Sequence, residues 1–134
     1  MSEPPSIDDV VHVAEFREAL RRFVRRSERI ARKSGLTPQR YLLLLMIKGA
    51  RDGSEQSTVT ELSERLQLAQ SSVTELVRRA EEAGLIERRQ SAEDGRVAYL
   101  RLTREGELRL ARSFTDLAPE RGELRRAFVQ LDGR

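Results

Sequence analysis

The sequence predicts a mainly α-helical domain of six helices interrupted by one small β-hairpin. Three observations carry this. Apolar residues recur at three- and four-residue intervals through most of the chain, the spacing of one helical face. Hydroxyl caps and glycines punctuate those runs where helices would start and stop. From Leu85 to Leu102 the pattern changes to two short runs around the polar stretch Ser91 to Gly95, the second alternating apolar with polar residues.

Each element can be justified in order. Ser6 followed by Asp9 caps a first helix, in which Val13, Phe16, Leu20, Phe23 and Ile30 form the seam of a helix that packs against another. Gly35 ends it. Thr37 and Pro38, a cap and a proline at the first helical position, open a second helix that runs to about Gly49. Tyr41 to Ile47 is apolar nearly all round, which marks this as the central core helix. After the polar loop Arg51 to Ser57, Thr58 and Glu61 make a capping box for a short third helix ending near Leu66.

The fourth helix, about residues 70–83, has one apolar face of Val73, Leu76, Val77 and Ala80 and closes at Gly84. Its other face carries Gln70, Ser71, Thr74, Glu75, Arg78 and Arg79. The hairpin pairs Leu85 to Gln90 with Val97 to Leu102 across an Asp-Gly turn. Thr103 then caps a fifth helix to about Asp116, Pro119 interrupts, and Leu124, Phe128 and Leu131 mark an amphipathic sixth helix.

Composition narrows the function. With 134 residues the chain makes one domain, and its 38% hydrophobic and 35% charged fractions suit a charge-rich helical fold rather than a disordered one. Net charge is +3, and all basic residues but Lys33 and Lys48 are arginine. Arginine's planar fork suits phosphate and guanine edges, so nucleic acid is a candidate partner; a GC-rich coding bias accounts for the same composition. No cysteine is present, which excludes disulfides, thiolate metal sites and cysteine redox switching. The longest apolar run, Tyr41 to Ile47, is too short to cross a bilayer. The acidic start MSEPPSIDD lacks the apolar segment of a secretion signal, so a cytoplasmic location is expected.

The chain has one histidine, His12, which shares a helical face with Asp8 and Glu15. Zinc is conceivable there, but a solvated helix face is the better reading, and no metal or cofactor is expected. Without a nucleophile, a second histidine or a glycine-rich phosphate loop, no enzyme constellation is visible.

Two short helices a few residues apart, the second polar at its start, form a helix-turn-helix pattern, and a hairpin directly after it makes the motif winged. Such a second helix enters the major groove, and a wing can set an arginine in the neighbouring minor groove. Arg96, beside the hairpin tip, is the candidate, with Asp94 two residues away to hold its guanidinium in one rotamer.

From Leu36 to Gly106 the chain resembles the MarR family (multiple antibiotic resistance regulators) of winged helix-turn-helix proteins. The resemblance rests on TVTELSERLQLAQSSVTELVRRAEEAGLIERR followed by DGRVAYLRLTREG, with Asp94, Arg96, Leu102, Thr103 and Gly106 in the register of the family's wing signature. It implies a homodimeric regulator, a ligand-responsive repressor, on a near-palindromic site in double-stranded DNA. The chain would then divide into a disordered tail (1–6), a first dimerisation helix (7–36), a DNA-binding lobe (37–102, with its recognition helix at about 70–83 and its wing at 85–102) and C-terminal dimerisation helices (103–134).

Carried over position by position, the resemblance puts Gln70, Ser71, Ser72 and Thr74 at bases or nearby phosphates. Arg78 and Arg79 then fall at the DNA backbone, Thr58 and Thr60 at phosphate, and Arg88, Arg89, Asp94 and Arg96 in the wing. It assigns Val13, Phe16, Leu20, Leu124, Phe128 and Leu131 to the dimer interface. A small aromatic or phenolic effector would meet Phe16, Tyr41 and Phe114, for which plain core packing is the competing reading. The chain departs from the family where Gln67 and Ala69 replace a turn glycine and a hydroxyl cap. The cap is therefore expected to shift to Ser71, taking its side chain out of base reading. Glu75 stands where a basic residue is common; it would repel phosphate but can accept from a cytosine amino group. The alternative function is a winged-helix protein-interaction module without specific DNA binding.

Overall fold

The computed structural model describes residues 3–133, and its elements run α1 (Ile7–Lys33), α2 (Pro38–Lys48), α3 (Val59–Leu66), α4 (Gln70–Glu82), β1 (Ile86–Gln90), β2 (Ala98–Leu102), α5 (Arg104–Asp116) and α6 (Ala118–Gly133). Residues 1 and 2 of the expected tail lie outside the described residues. Ser6 is the N-cap of α1, its hydroxyl accepting from the Asp9 amide at 3.1 Å.

Helix ends follow the local chemistry. α1 and α4 both close through a glycine at φ +75°, Gly35 and Gly84. In each case the next residue's amide reaches back five residues, Leu36 to Ala31 at 2.9 Å and Leu85 to Ala80 at 3.0 Å, which satisfies a terminal carbonyl. Both halves of the Thr58 and Glu61 capping box form at the start of α3.

Four details differ from the sequence expectation. The cap of α4 does not move to Ser71: the helix begins at Gln70, its N-cap is Ala69 in extended conformation, and no side chain caps it. Gln67 enables this by taking the left-handed conformation, φ 57° and ψ 45°, that the missing turn glycine would adopt, with its side-chain Nε2 donating to the Glu64 carbonyl at 2.6 Å.

The hairpin is slightly shorter than expected. The strands pair from Ile86 with Leu102 to Gln90 with Ala98, each one residue shorter than expected, and leave a longer loop. That loop is closed by the Ser91 amide on the Val97 carbonyl at 2.9 Å and the Val97 amide on the Asp94 carbonyl at 3.0 Å. The polar loop before α3 also joins the sheet, because Ser57 exchanges both backbone hydrogen bonds with Leu100 on the free edge of β2. Finally, Pro119 does not interrupt a helix but opens α6, where its missing N–H costs nothing.

The core lies between α2 and the winged motif. Leu43, Leu44 and Ile47 of α2 are fully buried with Leu62, Val73, Val77, Leu85 and Leu100, each burial contributing about 1.5–3 kcal/mol. Arg65 reaches from α3 to the end of α2, donating to the carbonyls of Met46 and Gly49 at 3.1 and 3.0 Å. α5 is fastened by a buried hydroxyl pair, Ser113 to Ser34 at 2.9 Å. α6 folds back on α1 through Arg22 with Glu123, Arg26 with Glu120, and the Phe16 and Phe128 rings at 6.1 Å.

Candidate nucleic-acid interface

Three elements bring Thr58, Thr60, Gln70, Arg88 and Arg96 onto one surface. α3 presents Thr58 and Thr60 at its N-terminus, where the capping box takes the Thr58 and Glu61 amides and the helix dipole favours negative charge. Gln70, the first residue of α4, donates to the Thr60 hydroxyl at 3.4 Å and so joins the two helices. On the other side, Thr58 and Thr60 share a groove with Arg88, Arg96, Val97 and Ala98 of the wing.

α4 buries Val73, Val77 and Ala80 and turns Gln70, Ser71, Ser72, Thr74, Arg78 and Arg79 to solvent. Ser71, Ser72, Glu75 and Arg79 line a second groove with Gln39 of α2. Because Ser71 is not a cap, its hydroxyl is free of the helix terminus.

The arginines are not equivalent. Both helix arginines are gathered by Glu75, which accepts from Arg78 Nη2 at 2.6 Å and from Arg79 Nε at 3.0 Å, and this holds its carboxyl down to about 2. Arg78 also pairs with Glu82. On the wing, Arg88 and Arg89 point to opposite faces of the hairpin by strand alternation. Arg88 faces the helices and pairs with Glu81 of α4 at 2.9 Å, whereas Arg89 lies 4.0 Å from Glu87. Arg96 stands out: its side chain is 93% exposed, and its one ion pair among the described residues, at 3.2 Å, is with Asp94 in its own loop.

A profile of the MarR family matches residues 34–97, which take in α2, both helices of the motif and the hairpin to its tip. Over these residues the chain is similar to the MarR family. Over 77 residues it is 36% identical to the HTH-type transcriptional repressor MdtR of Bacillus subtilis (strain 168), a match covering 58% of this chain and 47% of that protein. The chain thus matches about half the length of this curated relative.

Its fold is that of the YusO protein from Bacillus subtilis, with a TM-score of 0.64, 25% identity and coverage of 88% and 82% of the two chains. It is also that of a mutant MarR from E. coli, solved in complex with operator DNA, with a TM-score of 0.67, 19% identity and coverage of 81% and 75%. Among the described residues no helix is long and apolar enough to cross a membrane.

The remaining candidates divide. Phe16, Leu124 and Phe128 meet within one protomer, lining an apolar groove between α1 and α6 with Phe23, Arg121 and Arg125. Val13 is half exposed, and Leu20 and Leu131 are partly buried. The three aromatics expected to share a pocket are not gathered into one. Tyr41 is a core residue, 5% exposed, with its hydroxyl pKa pushed up by burial against an opposing effect of Arg121. Phe114 lies at the surface under the Arg121 guanidinium, 4.0 Å from its ring centre. Asp8, His12 and Glu15 form no metal-holding group, nor do any other described residues.

Sequence reasoning missed Gln39 and Ser57. Neither carried a signal: Gln39 is an ordinary first-turn residue of α2, and a single bridge residue has no periodicity to read.

Proposed function

We propose that the chain is a sequence-specific, DNA-binding transcription regulator that works as a homodimer on a near-palindromic operator and represses from it. One observation carries this: the α3 N-terminus, the start of α4 and the wing arginine form one surface, linked by Gln70 with Thr60 and by the groove that Thr58 and Thr60 share with Arg96. A helix N-terminus, a polar helix face and a projecting guanidinium correspond to phosphate, major-groove and minor-groove contacts in that order. The repressor relative MdtR and the operator-bound MarR structure support the same reading.

Dimerisation is supported by apolar side chains that one protomer leaves open on α1 and α6, among them Val10, Val13, Val24, Phe128 and Val129. The apolar groove of Phe16, Phe23, Leu124 and Phe128, flanked by Arg121 and Arg125, supports a small aromatic acid as effector. The chain has no catalytic role in this reading; its work is binding.

The test is a titration against duplexes selected from a random library and against unselected duplex, at two salt concentrations. A regulator binds selected sites at nanomolar concentration and far tighter than unselected DNA. Weak, equal and salt-sensitive binding to both, with no sequence recovered by selection, would favour the protein-interaction module instead.

A further inference from the structure

Glu75 occupies the middle of the face that α4 turns outward. At about 3.6 residues per turn it falls opposite the buried stripe of Val73, Val77 and Ala80, with Ser71 one turn before it and Arg79 one turn after. Its carboxylate collects both arginines of the helix: Arg78 Nε on Oε2 at 3.0 Å, Arg78 Nη2 on Oε1 at 2.6 Å and Arg79 Nε on Oε1 at 3.0 Å. The helix as a whole is acidic, with Glu75, Glu81 and Glu82 against Arg78 and Arg79, a formal charge of −1.

A helix charged in this way is a poor ligand for phosphate. The two cations that would attract a DNA backbone are paired with a carboxylate at the middle of the outward face. Exposed ion pairs are weakly held in water, so the arginines exchange partners readily once Glu75 is satisfied elsewhere. In the major groove that satisfaction comes from an amino donor. Cytosine offers one at N4, whereas the amino group of adenine sits beside the N7 acceptor, which repels a carboxylate.

Resting on the DNA-binding reading above, we infer that Glu75 is the specificity-determining residue of the recognition helix, accepting from the N4 amino group of a cytosine and in the same step releasing Arg79 to a flanking phosphate and leaving Arg78 to Glu82 alone. On any other base pair the carboxylate finds no donor from the bases and stands as an unsatisfied anion in the groove. Discrimination then comes as much from weak binding of wrong sequences as from tight binding of the right one.

The experiment uses the full chain and a duplex selected with the wild-type protein. Wild type, Glu75→Gln and Glu82→Gln are titrated against that duplex, against versions in which each C·G pair in turn becomes T·A, and against random duplex over a salt series. Far-UV circular dichroism verifies that both variants fold, as expected for exposed side chains.

In wild type, one C·G position per half-site is expected to cost tenfold or more when changed, because thymine O4 puts an acceptor where the donor stood. Glu75→Gln should lose that discrimination, bind random duplex about tenfold tighter, and show a salt dependence steeper by about 0.9 for each phosphate gained. Glu82→Gln removes the same charge from the end of the helix and should retain the cytosine preference. The inference is overturned if Glu75→Gln keeps every base preference of wild type, or if Glu82→Gln erases the same one. Recovery of no site at all by wild type would overturn the DNA-binding reading itself, and this inference with it.

Discussion

The backbone amide and the guanidinium Nε of Arg96 both donate to the same oxygen of Asp94, at 3.0 and 3.2 Å. One carboxylate oxygen therefore fixes the turn and the first part of the side chain that leaves it. The rest of the guanidinium projects into solvent. An arginine held this way has less rotamer freedom to lose on docking than a free one.

Arg96→Ala is expected to weaken operator binding by about 1–3 kcal/mol, and Asp94→Ala by less, since the cation remains but is no longer aimed. Fluorescence anisotropy on the selected duplex measures both. Unchanged affinity in Arg96→Ala would mean that the wing is idle.

The uncapped start of α4 offers a gain of stability. Ala69 is in the extended conformation of an N-cap, φ −62° and ψ 149°, but has no acceptor to offer the first-turn amides. Ala69→Ser should stabilise the fold by about 0.5–2 kcal/mol in urea unfolding. A loss of stability would show that a neighbour needs the methyl group.

Gly106 admits no side chain. A Cβ there would stand 2.2 Å from the Leu85 carbonyl oxygen and 3.2 Å from its carbon, both backbone atoms that cannot step aside. Gly106→Ala should cost about 1–3 kcal/mol or more and lower the melting temperature by several degrees. A wild-type melting curve would contradict the packing described.

Val13 is 48% exposed in one protomer, so a charge there disturbs little within the chain. Val13→Glu, and the pair Leu124→Asp with Phe128→Asp, are expected to yield monomers in sedimentation experiments and to abolish tight operator binding. A stable, fully active monomer would refute the dimer.

Glu75 predicts a pH effect of definite sign. Its carboxyl is held at about 2, below the ordinary 4.5, by hydrogen bonds from Arg78 and Arg79. The ionised form is therefore favoured by folding, and the stability it contributes is complete above about pH 4.5 and lost as pH falls toward 2. Wild type should melt slightly above Glu75→Gln at pH 7, and the gap should close at pH 2–3. Because both partners are half exposed, high salt should shrink the gap at every pH.

What could be read from the sequence was local. Ser6, Thr37, Thr58 with Glu61, and Thr103 cap helices where their spacing said they would, because each acts within three residues of itself. Gly35 and Gly84 close helices for the same reason. The hairpin was legible in its alternation, but its loop was not, since Asp-Gly serves several turn types and Ser91, Asp94 and Val97 settle on a longer one through their own hydrogen bonds. Contacts between distant residues left no trace: Ser57 on β2, Arg65 on the end of α2, and the separation of Phe16, Tyr41 and Phe114. The gathering of Arg78 and Arg79 by Glu75 is legible in the sequence, since three- and four-residue spacing sets them beside it on the helix.

The Leu85 carbonyl, against which Gly106 packs, also accepts from the Thr103 amide at 3.0 Å, while the Thr103 hydroxyl donates to the Gly84 carbonyl at 2.6 Å. The end of α4, both feet of the hairpin and the start of α5 are thus riveted at a single point. The tooth that enters one groove and the tooth beside it keep a constant gauge. Spreading the two on a duplex would break the Thr103 hydrogen bonds to Leu85 and Gly84, so a groove spacing that leaves them intact is the one bound at least cost.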